Sequence, residues 1–282
     1  MLETPLHFAV RSNDLDAVKI LVENGACVNK KNIYSESPLG ISANQNRIPE
    51  MTAYLISKGA EYSYEKNNDN ERYYLNLIEA GMNSRSLKKE DGAPPLIYKA
   101  LREGWNELAS KLLDENEPLD YKDDEGNNLL MTAAKGKADE KVFRKLIETG
   151  FFPLEAANHK CETALSLSLG GDENKTIDLI GHGAETGAVF LGNSPKSSSA
   201  PEMTPFLWCI YNGSYELALY ILNNQKKSAR KTAGKIAQAE LIQAACSPIP
   251  PELLEKTVSI KSKELNILEK SGLLNIVMVD YG

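Results

Sequence analysis

The sequence predicts an all-α protein in which pairs of helices recur along the chain. Thr4 and Pro5 favour a helix start, because a threonine hydroxyl can cap the first turn and proline lacks an N–H group that would go unpaired there. Apolar residues at i, i+3 and i+4 spacing from Val18 indicate a second helix. Gly25 then supplies the positive φ at which helices often end. Such a helix pair cannot bury its apolar face alone, so neighbouring pairs must stack against each other.

An apolar anchor followed three residues later by a small or short side chain marks the first helix, and this pattern recurs. After Leu6/Ala9, the further copies are Leu39/Ser42, Ile97/Ala100, Leu130/Ala133, Leu165/Ser168, Phe206/Cys209 and Leu241/Ala244. The successive spacings are 33, 58, 33, 35, 41 and 35 residues. Four of the six lie within two residues of 33, which indicates tandem repeats of one helical unit.

The first copy resembles an ankyrin repeat almost letter for letter over residues 3–29. It contains the opening Thr-Pro-Leu-His-Phe-Ala at 4–9 and the exit Gly-Ala-Cys-Val-Asn at 25–29. The resemblance covers roughly residues 1–224. It implies an ankyrin-repeat solenoid of about six to seven stacked helix pairs, some of them degenerate, with a C-terminal helical cap. It also implies that His7 ties the turns of its repeat together through hydrogen bonds.

The irregular spacings predict where the repeats deviate from the pattern. The gap of 58 residues predicts a degenerate repeat near 62–83, whose first helix is shortened and whose second helix ends at Gly81. The gap of 41 residues contains a Ser/Pro-rich stretch, 192–202, which is predicted to be a loop. Residues 225–282 are interpreted as a diverged last repeat or a helical C-terminal cap, with a small separate helical domain as the alternative.

Composition and charge exclude several classes of protein. The 282 residues carry a formal net charge of −7, which argues against general nucleic-acid binding. No uncharged apolar run approaches the ~18 residues of a membrane span, and the four cysteines fall in different repeats, as expected for reduced thiols in the cytoplasm. We expect a monomer without cofactor or metal. Because the first repeat begins at residue 3 and the chain ends on an apolar segment, 273–282, we expect it to be a piece of a longer protein.

Few residues have the pattern of a catalytic or metal site. His159 and Cys161 lie close in the sequence, but no third group that would orient them is evident, so we assign them to a loop between repeats and expect no enzyme. No Cys/His spacing fits zinc. The acidic run 114–126 is interpreted as a solvated loop or as a docking edge for a basic partner. The basic run 226–235 is interpreted as a solvated helix face or as a contact for acidic protein, membrane or RNA.

The resemblance implies a protein partner that binds the concave face formed by the first helices and by the fingers, which are the loops between repeats. The positions that match this face are Phe8, Arg11, Asn44, Tyr98, Arg102, Lys135, Trp208 and Tyr211. Tyrosine, tryptophan and arginine are enriched at binding hot spots. Asn29, with Val28 before it and Leu21 eight residues earlier, resembles the pattern that an asparaginyl hydroxylase selects in ankyrin repeats, and its alternative role is to bond within the finger.

Two functions follow from the resemblance. The first is a non-enzymatic adaptor for protein–protein interaction. Its degenerate repeats and Lys/Asn-rich composition resemble the ankyrin effectors that intracellular bacteria inject, which would place it in the host cytosol. The alternative is the ankyrin targeting module of a larger effector enzyme whose catalytic part lies C-terminal. The full-length reading frame distinguishes these functions.

Overall fold

Short α-helices that mostly follow one another in pairs make up the described part of the chain. The computed structural model describes residues 3–45, 49–64, 69–87, 92–115, 117–186, 190–191, 202–203, 205–212 and 214–224. The helices are α1 Pro5–Arg11, α2 Leu15–Glu23, α3 Pro38–Gln45, α4 Pro49–Ser57, α5 Glu71–Glu79, α6 Leu96–Glu103, α7 Asn106–Asp114, α8 Leu129–Lys135, α9 Glu140–Glu148, α10 Ala164–Ser168, α11 Glu173–Gly181, α12 Pro205–Asn212 and α13 Tyr215–Asn224. Within those ranges, none of the helices combines the length and apolarity that crossing a membrane requires.

The chain divides into two units, which are described separately. Unit 1 comprises residues 1–123 and 136–146, and unit 2 comprises 124–135 and 147–282. In unit 1, α1 packs against α2 and α3, α3 against α4 and α5, and α7 against α5 and α6. In unit 2, α10 packs against α8 and α11, and α13 against α11 and α12. A helix therefore contacts both its own partner and the neighbouring pair, which is the packing of stacked repeats.

Side-chain caps explain where two of the helices begin. Asp14 accepts a hydrogen bond from the backbone N–H of Ala17 at 2.9 Å at the start of α2. Asn70 accepts one from the N–H of Tyr73 at 3.0 Å at the start of α5. These bonds satisfy N–H groups that no carbonyl of the same helix can reach.

Glycines with positive φ follow the ends of α2, α4, α5, α9 and α11. Their φ values are +88° at Gly25, +84° at Gly59, +96° at Gly81, +65° at Gly150 and +99° at Gly183. Residues with a Cβ atom adopt this conformation at a steric cost, whereas glycine does not. The helix ends predicted from the sequence at Gly25 and Gly81 are therefore confirmed.

The predicted anchors of the first helices lie in the core. Leu6, Leu39, Ile97, Leu130 and Leu165 are at most 2% exposed. The residues three positions later, Ala9, Ser42, Ala100, Ala133 and Ser168, are also buried. Cys209 is buried too, whereas the side chain of its anchor Phe206 lies outside the described residues. Burying each apolar anchor contributes about 1.5–3 kcal/mol to folding. The short side chains allow neighbouring helices to approach closely.

Two buried hydroxyl pairs link a first helix to its second helix in the same way. Ser42 on α3 and Thr52 on α4 lie 2.7 Å apart, oxygen to oxygen. Ser168 on α10 and Thr176 on α11 lie 2.9 Å apart. Because buried hydroxyl groups need a partner, each pair satisfies both of its members.

The sequence predicted a degenerate repeat near 62–83 with a shortened first helix before α5. The described residues in front of α5, 60–64 and 69–70, contain no helix. The Nδ2 of Asn76 on α5 donates to the Ala43 carbonyl oxygen of α3 at 2.7 Å, so α5 is fastened directly to the preceding first helix. The 3-10 helix Ser84–Ser86 follows α5.

Two short strands, β1 Phe190–Leu191 and β2 Glu202–Met203, pair antiparallel, with Phe190 opposite Met203. The sequence did not predict this pairing. The two strands flank most of the Ser/Pro-rich stretch 192–202, of which only Glu202 belongs to the described residues. Residues 225–282, interpreted as a diverged repeat or cap, lie outside the described residues as well.

Candidate functional site

The loop at residues 32–36, which we call the Asn32 finger, is held by the side chain of Asn32. Its Oδ1 accepts hydrogen bonds from the backbone N–H groups of Tyr34 at 2.9 Å and Glu36 at 3.0 Å. Its Nδ2 donates to Oε2 of Glu36 at 2.9 Å. Ser35 has a φ of +60° in this turn. The finger is therefore a defined turn with its own internal bonds.

The loop at residues 158–162, the Asn158 finger, is built in the same way in unit 2. Oδ1 of Asn158 accepts from the N–H groups of Lys160 and Glu162, both at 2.9 Å, and Nδ2 donates to the Glu162 carboxylate at 2.9 Å. Cys161 takes the place of Ser35, also with a φ of +60°. The two fingers thus share one pattern of bonds.

Arg11 and His7, both on α1, tie the Asn32 finger to the first helix. Arg11 Nε lies 2.9 Å from Oε1 of Glu3, and its Nη2 forms a close ion pair with Glu36. The Nδ1 of His7 accepts from the Thr4 N–H at 3.3 Å, so its Nε2 donates to the Glu36 carbonyl oxygen at 3.2 Å. Arg11, a predicted partner contact, is thus already paired with two carboxylates of its own unit.

Three large apolar side chains are exposed on α1 and on the Asn32 finger. Phe8 is 58% exposed, Ile33 is 54% exposed and Tyr34 is 64% exposed. Phe8 was predicted from the sequence to lie on the binding face. The exposure of Ile33 and Tyr34 was not predicted, because a loop position has no helical period that would identify the direction of its side chain.

Asn44, Tyr98 and Arg102 occupy first helices of unit 1. Asn44 is exposed on α3. Tyr98 is half-buried on α6, where its ring centroid lies 4.9 Å from that of Tyr121 and its hydroxyl donates to Asp123 at 3.4 Å. Burial and the Asp123 carboxylate together raise the pKa of Tyr98. The guanidinium of Arg102 lies 5.9 Å from the Tyr98 ring centroid.

Lys135 and Lys160 of unit 2 both approach the carboxylate of Glu125. Lys160 Nζ lies 2.8 Å from Oε1 and Lys135 Nζ lies 3.5 Å from Oε2. Hydrogen bonds from Lys160 and Asn127, with the positive charge of Lys135, lower the pKa of Glu125 to about 2. Lys135, a predicted contact, is exposed but belongs to this charged group.

Trp208 and Tyr211 both lie on α12. The Trp208 ring packs on the backbone of Gly170, where an added Cβ would lie 3.0 Å from Cζ2. The side chain of Tyr211 lies outside the described residues. Between them, Cys209 is buried, and burial beside Glu173 raises the pKa of its thiol to about 12.

Asn29 connects two consecutive repeats of unit 1. Its Nδ2 donates to the carbonyl oxygen of Gly59 at 3.0 Å, and its Oδ1 accepts from the backbone N–H of Glu61 at 2.9 Å. The residue is exposed, yet both ends of its carboxamide are engaged. Its bonds reach into the next repeat rather than staying within its own finger.

Three aromatic rings surround the ammonium group of Lys99 on α6, and with Asp69 they form what we call the Lys99 cage. Lys99 Nζ lies 5.9 Å from the ring centroid of Tyr64, 5.6 Å from that of Tyr74 and 5.2 Å from that of Trp105. It also forms a close ion pair with Asp69. The sequence did not reveal this cage, although the tyrosines near the irregular repeat were visible.

Asp69 is held in the Lys99 cage by the hydroxyl groups of two of its rings. Tyr74 donates to Oδ1 at 2.8 Å and Tyr64 donates to Oδ2 at 3.3 Å. Burial works against ionisation of Asp69, but the hydrogen bonds from Lys99 and Tyr74 outweigh it and lower the pKa of its carboxyl group. Burial of Tyr74, with its hydroxyl contacts, raises the pKa of that phenol. The cage therefore holds one negative charge between neutral tyrosines.

Several side chains of the acidic run 114–126 are paired within their own unit. Asp114 lies 2.6 Å from Lys145 Nζ, and Glu117 lies 3.9 Å from Arg85 Nε. Ion pairing leaves less uncompensated charge for a basic partner than the sequence suggested.

His159 and Cys161 hold structural positions in the Asn158 finger. The His159 N–H donates to the Glu125 carbonyl oxygen at 2.9 Å, and its ring packs on Gly126. Cys161 is exposed. Within the described ranges, no three His, Cys, Asp or Glu side chains come together as metal ligands.

Comparison with known proteins identifies the family of these repeats. The family model described as ankyrin repeats (3 copies) matches residues 2–66. No curated protein sequence matches the chain. The crystal structure of the human ASB11 ankyrin repeat domain is 19% identical and covers 79% of this chain and 99% of its own, with a TM-score of 0.52. The ankyrin repeat domain of Bcl-3, of the IkappaB protein family, is 19% identical and covers 73% of this chain and 93% of its own, with a TM-score of 0.54.

Ankyrin repeats are generally protein–protein interaction modules, and their domains typically have no catalytic activity. The TM-scores of the two solved structures show that the fold is shared, while the family model identifies the N-terminal repeats. Residues 2–66 are therefore ankyrin repeats, and the described helices have the ankyrin-repeat fold.

Proposed function

We propose that this protein is a non-enzymatic adaptor that binds a partner protein through the face formed by its first helices and fingers. The observation that carries the proposal is the exposure of Phe8, Ile33 and Tyr34 on α1 and the Asn32 finger. Exposed aromatic side chains are well suited to anchor a partner, because aromatic residues dominate binding energies at protein interfaces. We refer to these three residues as the apolar patch.

The apolar patch is supported by a rigid base. The turn of the Asn32 finger is closed by three hydrogen bonds from its asparagine side chain. The pairs that Arg11 and His7 make with Glu36 attach this finger to α1. A preformed surface loses less conformational entropy on binding than a flexible loop, which favours affinity.

The remaining predicted contacts extend the proposal within each unit. In unit 1 we propose that Asn44, Tyr98 and Arg102 take part, with Arg11 orienting Glu36 at the patch. In unit 2 we propose Lys135, Trp208 and Tyr211 as contacts.

Affinity capture with matched variants tests the apolar patch. Replacing Phe8 and Tyr34 by alanine removes two aromatic contacts, each worth about 2 kcal/mol at a hot spot, so capture of the partner falls by roughly tenfold or more. The control is Ile20→Ala, which removes an apolar side chain of similar exposure from α2. Equal capture by the double variant and wild type, at unchanged melting temperature, would contradict the proposal.

We further propose that the protein acts as a secreted effector in a host cell, which the Lys/Asn-rich composition and the irregular repeats support. A translocation reporter fused to the chain tests this, because an effector delivers the reporter into host cells only from bacteria with an intact secretion system. A continuation of the reading frame that encodes a nucleophile and its base would instead favour the ankyrin targeting module of a larger enzyme.

A further inference from the structure

We propose that the Lys99 cage is a binding site for a trimethyl-lysine side chain of the partner protein, whose cationic group replaces that of Lys99. The inference rests on the proposed function and deepens it, because it names the chemistry of one contact. Three aromatic rings and a carboxylate converge on one point, and that arrangement recognises organic cations.

The distances in the cage leave room for methyl groups. The nitrogen of Lys99 lies 5.2–5.9 Å from the centroids of the three rings. A methyl carbon bonded at about 1.5 Å and touching a ring at about 3.5–4.0 Å places its nitrogen about 5–5.5 Å from that ring. The Trp105 distance falls within this range, and those of Tyr74 and Tyr64 lie 0.1 and 0.4 Å beyond it, so the rings stand close to the separation that a methylated ammonium group requires.

The charges of the cage favour a cation over a neutral side chain. Asp69 pairs with Lys99 and accepts hydrogen bonds from the hydroxyl groups of Tyr64 and Tyr74. These bonds orient two of the rings and keep the carboxylate in its charged form. A neutral occupant would leave that charge without a counter-ion, which is unfavourable at a half-buried position.

The resident lysine can leave the cage without disturbing the core. The side chains of Lys99 and Asp69 are 25% and 22% exposed, so the cage opens to solvent. A partly exposed ion pair contributes little net stability, and the lysine side chain is flexible. A quaternary ammonium group is less strongly hydrated than a primary one, so it gains more from aromatic contacts.

The cage lies in the part of unit 1 where the repeat pattern is irregular. Tyr64 and Asp69 come from the segment before α5 in which residues 60–64 and 69–70 contain no helix. Lys99 follows Tyr98, a predicted contact of the binding face, on the first helix α6. A partner segment that reaches this helix can therefore present a side chain to the cage.

Titration of the full chain with small probes tests the proposal. The chain contains two tryptophans, so Trp208→Phe leaves Trp105 as the sole indole reporter. In this background, Lys99→Ala opens the cage and Lys99→Met fills it with an uncharged chain of similar length. The probes are N-acetyl-trimethyl-lysine amide, the corresponding unmethylated lysine amide and choline, all at constant ionic strength.

We expect the trimethyl-lysine probe to bind the Lys99→Ala protein about tenfold more tightly than wild type, and not to bind the Lys99→Met protein. It is also expected to bind about tenfold more tightly than the unmethylated amide. No saturable change in Lys99→Ala, or equal binding by both variants, would overturn the proposal. Binding of choline as tight as that of the amide would overturn it as well, because the cage would then recognise a small quaternary ammonium ion without needing the lysine side chain.

Two controls keep the outcomes separate. The titrations are followed by the fluorescence of Trp105. If Lys99→Ala lowers the melting temperature, binding is measured in wild type instead, from the NMR chemical shift of the Trp105 indole N–H at high probe concentration. Asp69→Asn is expected to weaken the binding of the trimethyl-lysine probe several-fold without closing the cage. Failure of the probes to bind, with partner capture still dependent on Phe8 and Tyr34, overturns the cage alone and leaves the adaptor function standing.

Discussion

Asn158 holds Glu162 at two points of one turn, since its Oδ1 accepts from the N–H of Glu162 and its Nδ2 donates to the Glu162 carboxylate, both at 2.9 Å. Asn32 and Glu36 repeat this relationship in unit 1. An asparagine followed four residues later by a glutamate thus closes a finger in each unit. These pairs position the residues between them, which in unit 1 include Ile33 and Tyr34.

Replacing Asn158 by alanine should destabilise the protein by about 2–3 kcal/mol, because several buried groups lose their partners at once. Asn158 and Glu162 are both less than 8% exposed, so water cannot replace the lost bonds fully. Chemical denaturation monitored by circular dichroism measures the effect. Asn174→Ala, at an exposed position of α11, is the control and should cost less than about 0.5 kcal/mol. Equal costs for both variants would contradict the role of the finger.

Gly104 and Gly25 provide a matched pair of helix ends with similar φ, +80° and +88°. An added Cβ at Gly25 meets no atom within 4 Å, whereas at Gly104 it would lie 2.7 Å from Cβ of Lys137. Gly25→Ala therefore costs about 1 kcal/mol, from backbone conformation alone. Gly104→Ala costs about 1–3 kcal/mol more, because the backbone must also move away from Lys137. Thermal unfolding of the two variants in parallel measures the difference, and equal losses would show that the loop at Lys137 yields freely.

Glu125 should titrate well below an ordinary glutamate, with a pKa of about 2 in the folded protein. In the unfolded chain its pKa is about 4.3. The interactions of ionised Glu125 therefore stabilise the folded state above about pH 4.3, and this stabilisation is lost as the pH falls through about 2. Carbon-detected NMR of the carboxyl group measures the titration directly. Lys160→Gln removes the closest hydrogen-bond donor and should raise the pKa of Glu125 towards its unfolded value.

Lys135→Gln is the comparison for that titration. Its ammonium group lies 3.5 Å from Glu125, farther than that of Lys160 at 2.8 Å, so it should raise the pKa of Glu125 less. A larger effect of Lys135 than of Lys160 would contradict the assignment of the stronger hydrogen bond.

Asn29 remains our proposed site for asparaginyl hydroxylation. Its carboxamide is bonded to Gly59 and Glu61, so an enzyme reaches it only after these bonds open. Incubation with the hydroxylase followed by mass spectrometry should show the gain of one oxygen atom on the peptide that contains Asn29. The peptide that contains Asn83 is the internal comparison and a poorer match, because Leu75 lies eight residues before it but Met82 replaces the β-branched neighbour. An unmodified Asn29, under conditions that modify a separate ankyrin protein of consensus sequence, would contradict the proposal.

The parts of the fold that follow a local rule could be predicted from the sequence. The burial of Leu6, Leu39 and Leu165 could be predicted, because each lies at the same spacing before a small or short residue. Gly25 and Gly183 end helices because their conformation is set by the backbone of two or three neighbours. In these cases the cause and the effect lie within a few residues of each other.

The candidate site depends on contacts that no local rule describes. Lys99 meets Asp69 across 30 residues, in a repeat that departs from the regular spacing. Arg11 was predicted as a contact for the partner, and its pairing with Glu36 depends on how the finger folds back on α1. The exposure of Phe8 could be predicted because it lies in a regular helix, whereas that of Tyr34 could not.

The glycines that end the helices separate surface exposure from freedom to mutate. Gly25, Gly59, Gly81 and Gly150 have open space where a side chain would go, yet each has positive φ. What these sites require is the absence of a Cβ atom, whatever the polarity or volume of a replacement. A substitution at these surface positions therefore carries a conformational cost although no atom packs against them, so an exposed position is not by itself a tolerant one.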